Sequence, residues 1–182
     1  MLRRIVGAAV LFAAASACAA GAANLWLDVP FVPQQKDGCG PASIAMVMQY
    51  WERQQGQSVL PQAESEQIYR ALYSAPDHGV YASAMSAYLK QNGYRTFAFS
   101  GQPADLGREL AQGRPLIAAL KPDSGSSLHY VVVTGLDQPQ HLVLVNDPAQ
   151  RKLLKVNQSQ FEHEWKATGH WTLLAVPITS SH

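Results

Sequence analysis

Gln34-Gln35-Lys36-Asp37-Gly38-Cys39-Gly40-Pro41 is a polar loop that runs straight into an apolar-periodic segment. From Cys39 onward, Ile44, Val47, Met48 and Trp51 fall at i, i+3, i+4 and i+7, the spacing of one helix face. Pro41 suits the first turn, where a missing N–H costs nothing. The pattern therefore sets Cys39 at a helix N-terminus. Unpaired backbone N–H groups and the helix dipole favour negative charge there, and a thiol attacks as its thiolate. Gly38 and Gly40 keep side chains off the backbone on either side, so a substrate can come close.

Outward from this helix the chain divides into two halves. Before it, residues 25–33 read as a strand-like lead-in anchored by Trp26 and Phe31. After it, helices are expected over residues 63–73 and 81–91, the second stopping at Asn92-Gly93. Strands follow at 94–99, 114–120, 128–136, 141–145, 152–156 and 171–176, rich in valine, isoleucine and leucine. Short helices interrupt them at 103–112 and around Phe161 and Trp165. Helices first and antiparallel sheet second make an α+β fold, with N-terminal helices packed on a C-terminal sheet.

The 182 residues are one domain's worth of chain, and 47% apolar with 15% charged is the composition of a folded domain rather than a disordered one. The formal net charge is +1, and removing Arg3 and Arg4 leaves 12 basic against 13 acidic residues, a net of −1. No basic face is available for nucleic acid. Residues 1–23 read as a signal peptide: Met1-Leu2-Arg3-Arg4 is a positive start, Ile5 to Ala15 a short apolar core, and small residues follow to Ala23. Residues 24–182 then form the folded domain, and the protein is expected to be exported to the periplasm or envelope. Two cleavage schemes compete. One is an Ala-x-Ala cut near Ala22 or Ala23. The other uses Ala15-Ser16-Ala17-Cys18 as a lipoprotein box, with a lipid on Cys18 as the only membrane contact. Either leaves Cys39 without a disulfide partner, and an odd thiol in an exported protein asks for a role.

Two further positions supply one. His129 opens the most apolar strand and follows the loop 122–127, which sets it at a strand mouth. A core histidine would fit the same strand. Asp147 ends the next strand and Pro148 terminates the pairing. On adjacent antiparallel strands the Asp147 carboxylate could hold one imidazole nitrogen while the other serves the thiol, as in a catalytic triad. Gln34 could donate its amide to an oxyanion beside the Cys39 N–H, with Gln35 as its competitor. The other histidines, His78, His141, His163, His170 and His182, form no ligand spacing, and no metal or other cofactor is expected.

The stretch Asp28-Val29-Pro30-Phe31-Val32-Pro33-Gln34 leading to Cys39-Gly40-Pro41-Ala42 resembles the bacteriocin-processing, double-glycine leader peptidases of the papain-like clan. His129-Tyr130-Val131-Val132-Val133-Thr134-Gly135 leading to Asn146-Asp147-Pro148 carries the same resemblance. It covers residues 25–177. It implies a papain-like peptidase domain, Cys39 as nucleophile, His129 as general base and acid, Asp147 as its orienter, and a glutamine oxyanion donor. In the transporter-linked members that glutamine stands one residue farther from the cysteine than Gln34 stands here. Those members are fused to a transporter, and neither ATP use nor cleavage of a double-glycine leader carries over to a chain with an export signal.

Three functions fit these residues. The first is a cysteine peptidase acting through a Cys39 thioester on an exported peptide or protein, or on a secretion-system component. The second passes the same acyl group to an amine, as a transpeptidase does. The third is a peptide-binding module without catalysis, which in such families has usually lost the nucleophile.

Overall fold

The computed structural model describes residues 24–123 and 127–178. The expected signal peptide, Cys18 included, and the middle of the 122–127 loop lie outside the described residues. The elements run β1 (Leu25–Trp26), α1 (Cys39–Gln54), a 3-10 turn (Pro61–Ala63), α2 (Ser65–Leu72), α3 (Ala82–Gln91), β2 (Tyr94–Ser100) and α4 (Pro103–Ala111). They continue as β3 (Leu116–Leu120), β4 (His129–Asp137), β5 (Leu142–Asp147), β6 (Arg151–Asn157), α5 (Gln158–Lys166) and β7 (Trp171–Pro177). The strands form one antiparallel sheet in the order β2-β7-β3-β4-β5-β6, and β1 pairs with β4. This is the expected α+β fold.

The helices are less segregated than the order of the chain suggests. Helices α1, α2 and α3 pack on one face of the sheet, around Ile44, Met48, Ile68, Met85, Leu89 and Val132. Helices α4 and α5 cover the other, around Leu106, Leu110, Val133, Val145, Phe161 and Trp165. A strand buried on both faces needs apolar residues at every position, and β3 and most of β4 have them.

Helix α1 is buried almost all round rather than along one stripe. Gly40, Pro41, Ala42, Ser43 and Ala45 are small enough for it to lie close to its neighbours on every side. At Gly40 a Cβ would come to 3.3 Å from Val80 Cβ and 3.5 Å from the sulfur of Met85. Trp51 Nε1 donates to the Ala175 carbonyl at 2.9 Å and Tyr50 Oη to that of Gly113 at 2.8 Å, which ties the helix's second half to β7 and to the turn before β3.

The lead-in is mostly not a strand. Only Leu25 and Trp26 pair with β4, opposite Leu136 and Gly135. Pro30 and Pro33 lack N–H donors, so a ladder cannot continue through them. Trp26, expected as an anchor, is 52% exposed, because the pleat turns Leu25 and Leu27 inward and Trp26 outward. The Leu27 N–H still donates to the Thr134 carbonyl of β4 at 2.8 Å, and beyond it side-chain hydrogen bonds hold the segment. Asn146, fully buried on β5, donates to the carbonyls of Val29 and Pro30 at 3.1 and 3.3 Å. Its Oδ1 accepts the Leu153 N–H at 3.0 Å, where a bulge in the β5–β6 pairing leaves that group free of the ladder. Leu153 adopts φ 51° to make the bulge.

Asn146→Ala should therefore cost about 2–4 kcal/mol, since it strands two buried backbone carbonyls and a part-buried N–H at once. Urea denaturation measures it, and a loss below about 0.5 kcal/mol would contradict the clamp.

Candidate active site

Cys39 is the first residue of α1, after Gly38, which offers no side-chain cap. The first-turn N–H groups thus keep their unpaired character around the thiol. Packing is tight at Gly38: a Cβ there would meet the Gln35 carbonyl oxygen at 3.1 Å and the Tyr69 ring at 3.3 Å. Cys39 forms no disulfide among the described residues and is partly exposed.

His129 opens β4 and Asp147 closes β5, at the same end of two antiparallel neighbours. His129 Nε2 and Asp147 Oδ1 are 2.7 Å apart, with side-chain exposures of 20% and 6%. With Nε2 engaged by the carboxylate, Nδ1 is the ring nitrogen left to serve Cys39, which lines the same cleft. Burial pushes the imidazole pKa down. Hydrogen bonds and charges from Asp147 and Cys39 outweigh burial and raise it to about 9. At Asp147 burial pushes upward and is outweighed by the His129 hydrogen bond and charge, then by the Ala149 N–H and the Gln150 side chain. The carboxyl is held below its ordinary value. The arrangement favours an ionised carboxylate behind an imidazolium, facing a sulfur at a helix start.

A cleft of about 540 Å³ opens in front of them, lined by Gln34, Cys39, His129, Tyr130 and the 77–82 loop among others. Gln34 is half-buried in its wall. Its Oε1 is buried without a hydrogen-bond partner among the described residues, and its backbone N–H donates to the Pro148 carbonyl at 2.9 Å. Gln35 is exposed and takes no place in the lining. The fold thus brings Gln34, Cys39 and His129 to one cleft and sets Asp147 behind the imidazole. The Tyr130 phenol is pushed up to about 12, by burial and then by the charge of Cys39, so it stays neutral beside the cleft.

Three features were not found by sequence reasoning. The 77–82 loop forms the far wall, and His78, noted in the sequence only as belonging to no ligand spacing, lines the cleft 3.9 Å from Asp37. Asp77 is fixed there by the hydroxyls of Ser74 and Tyr81. Gln150 Nε2 donates to Asp147 Oδ2 at 2.7 Å. The only trace of that last contact in the sequence is the Asp-Pro turn, after which a residue three positions on can fold back.

The peptidase C39-like family model matches residues 26–173. A C39-like peptidase from Bacillus anthracis has a similar structure: TM-score 0.67, 20% identity, covering 87% of this chain and all of that one. A double glycine motif protease from an AMS/PCAT transporter, solved with its leader peptide, gives a TM-score of 0.65 at 24% identity, covering 84% and 94%. The peptidase domain of Streptococcus ComA, a bifunctional ABC transporter of a quorum-sensing pathway, gives 0.63 at 23%, covering 81% and 97%. No curated protein sequence matches significantly.

The ion pair fixes a pH dependence of stability. His129 has a raised pKa when folded, so its contribution is complete below its unfolded value of 6.5 and is lost as pH rises through about 9. Asp147 has a depressed one, so its contribution is present above its unfolded value of 3.8 and is lost as pH falls through the depressed value. The stability gap between wild type and His129→Gln in urea should be widest near about pH 6 and shrink by about pH 10. A gap that is flat in pH would contradict the pairing.

Proposed function

The chain belongs to the peptidase C39-like family of cysteine peptidases, and from that premise we propose that it hydrolyses a peptide bond through a Cys39 thioester. The observation that carries this reading is an imidazole held by Asp147 at 2.7 Å, with Cys39 and His129 lining the same open cleft.

The steps use groups already in reach. The Cys39 thiolate attacks the scissile carbonyl carbon, and the carbonyl oxygen becomes the oxyanion of a tetrahedral intermediate. The Cys39 N–H and the Gln34 side-chain amide donate to that oxyanion. The His129 imidazolium gives its Nδ1 proton to the leaving amine as the C–N bond breaks, which leaves an acyl thioester and a neutral ring. The ring then takes a proton from water as that water attacks the thioester. The second intermediate collapses to a carboxylic acid and restores the thiolate–imidazolium pair. Asp147 keeps the ring in orientation and balances its charge throughout, without itself taking the proton.

The substrate is a peptide or an extended protein segment, since the cleft is open and the reacting group is a backbone amide. Export belongs to the same proposal and rests on the pattern of residues 1–23. It places the substrate among exported peptides or proteins, or components of a secretion system. A lipid on Cys18 would tether the enzyme to the membrane.

Incubation with a diverse peptide mixture, read by mass spectrometry, tests the activity. Cleavage should fall at least about 10³-fold in Cys39→Ala and in His129→Ala, and less steeply in Asp147→Ala. Adding a primary amine should leave the hydrolysis products dominant. Dominant amide products would establish acyl transfer instead, and peptide binding without turnover would establish a binding module.

A further inference from the structure

Asp147 is 4% exposed, and such a carboxylate needs a donor for each oxygen. Oδ1 has two: His129 Nε2 at 2.7 Å and the Ala149 N–H at 2.9 Å. Oδ2 has the side-chain amide of Gln150, at 2.7 Å. Gln150 is itself exposed, yet its amide folds back across the turn onto the buried carboxylate. The Gln150 N–H also donates to the Asp147 carbonyl, at 2.9 Å, so backbone and side chain both close the turn on the same residue.

A carboxylate has one free torsion that matters here, the rotation about its Cβ–Cγ bond that sets its plane and the direction in which an oxygen faces the imidazole. His129 and Ala149 act on Oδ1 alone and leave Oδ2 to find water or a neighbour. A donor on Oδ2 from the opposite side stops that rotation. We propose that Gln150 is a positioning residue that locks the plane of the Asp147 carboxylate from behind, so that one oxygen stays aimed at His129 Nε2. This rests on the reading of Cys39, His129 and Asp147 as one catalytic unit, and adds to it a fourth member that touches neither substrate nor thiol.

The other charged groups near the pair do not replace it. Arg151, the register partner of Asp147 on β6, is exposed, and no ion pair joins it to Asp147 among the described residues. Asp37, Asp77 and His78 line the cleft from its other walls and engage one another or nearby hydroxyls. Tyr130 follows His129 on β4 and stays neutral. Cys39 acts on the ring from α1. Loss of the Gln150 amide is thus read at the imidazole without a second cation taking its place.

The test is the titration of the His129 ring by NMR in the intact, histidine-labelled protein, with the signal assigned by its absence in His129→Gln. Wild type is compared with Gln150→Ala and with Gln150→Met, which keeps the side chain's length and removes its donor. Gln150 is exposed, so both variants should fold, and unchanged urea midpoints would verify it. In both variants the His129 midpoint should drop from about 9 by about half a pH unit or more, and peptide cleavage should fall several-fold in kcat with KM unchanged. A His129 midpoint near 9 in wild type with variants superposing on it would overturn the role of Gln150 and leave the catalytic reading standing. A wild-type midpoint near 6.5 would overturn both.

Discussion

Asn146, Asp147 and Pro148 each hold a different part of the chain, and all three do so with polar groups shielded from water. Asn146 binds the carbonyls of Val29 and Pro30. Asp147 holds the His129 imidazole. The Pro148 carbonyl accepts the Gln34 N–H. One turn at the end of β5 thereby fixes the lead-in, the glutamine and the histidine against one another. Helix α1 brings Cys39 to the same place by being buried almost all round. Buried polar groups with full sets of partners specify one arrangement, because any other leaves a donor or acceptor stranded at a cost of about 1–3 kcal/mol.

The His129–Asp147 pair shows why burial has to be partial. A fully buried carboxylate and imidazolium would lose more in hydration than they recover from each other. Here Asp147 lies almost entirely inside, where the Ala149 N–H and the Gln150 amide stand in for water. His129 keeps one side toward the cleft, so its second nitrogen can exchange a proton with a group outside the core. The thiol sits where a helix start favours negative charge and faces a ring that retains its proton to about pH 9. Hydrogen bonds and charge overcome the burial that would otherwise neutralise both members of the pair.

Much of this was legible in the sequence, because periodicity reports burial. The 3.6-residue spacing from Ile44 to Trp51 marks α1, and the apolar runs mark β3, β4 and β5. The order of cysteine, histidine and aspartate along the chain carries the site, and antiparallel pairing of β4 with β5 completes it. What periodicity cannot carry is contact made by exceptions to it. Leu153 leaves the ladder at a bulge so that a buried asparagine can reach its N–H, and nothing in Arg151-Lys152-Leu153-Leu154 signals it. Gln150 looks like any exposed polar residue until the Asp-Pro turn folds it onto Asp147. Trp26 looks like an anchor until the pleat turns it to solvent. His78 and Asp77 come to the cleft through the fold of a loop, and loops have no period to read.

The central claim is that Cys39, His129 and Asp147 act as one unit. The pH dependence of Cys39 alkylation by iodoacetamide, in wild type and His129→Ala, tests it without a substrate. Peptide mass spectrometry separates Cys39 from Cys18. The account predicts rapid labelling of Cys39 near about pH 6 that is lost in His129→Ala, because the imidazolium is what favours the thiolate there. Labelling that rises only near the ordinary thiol range of about 8.5, and is the same in both proteins, would contradict it.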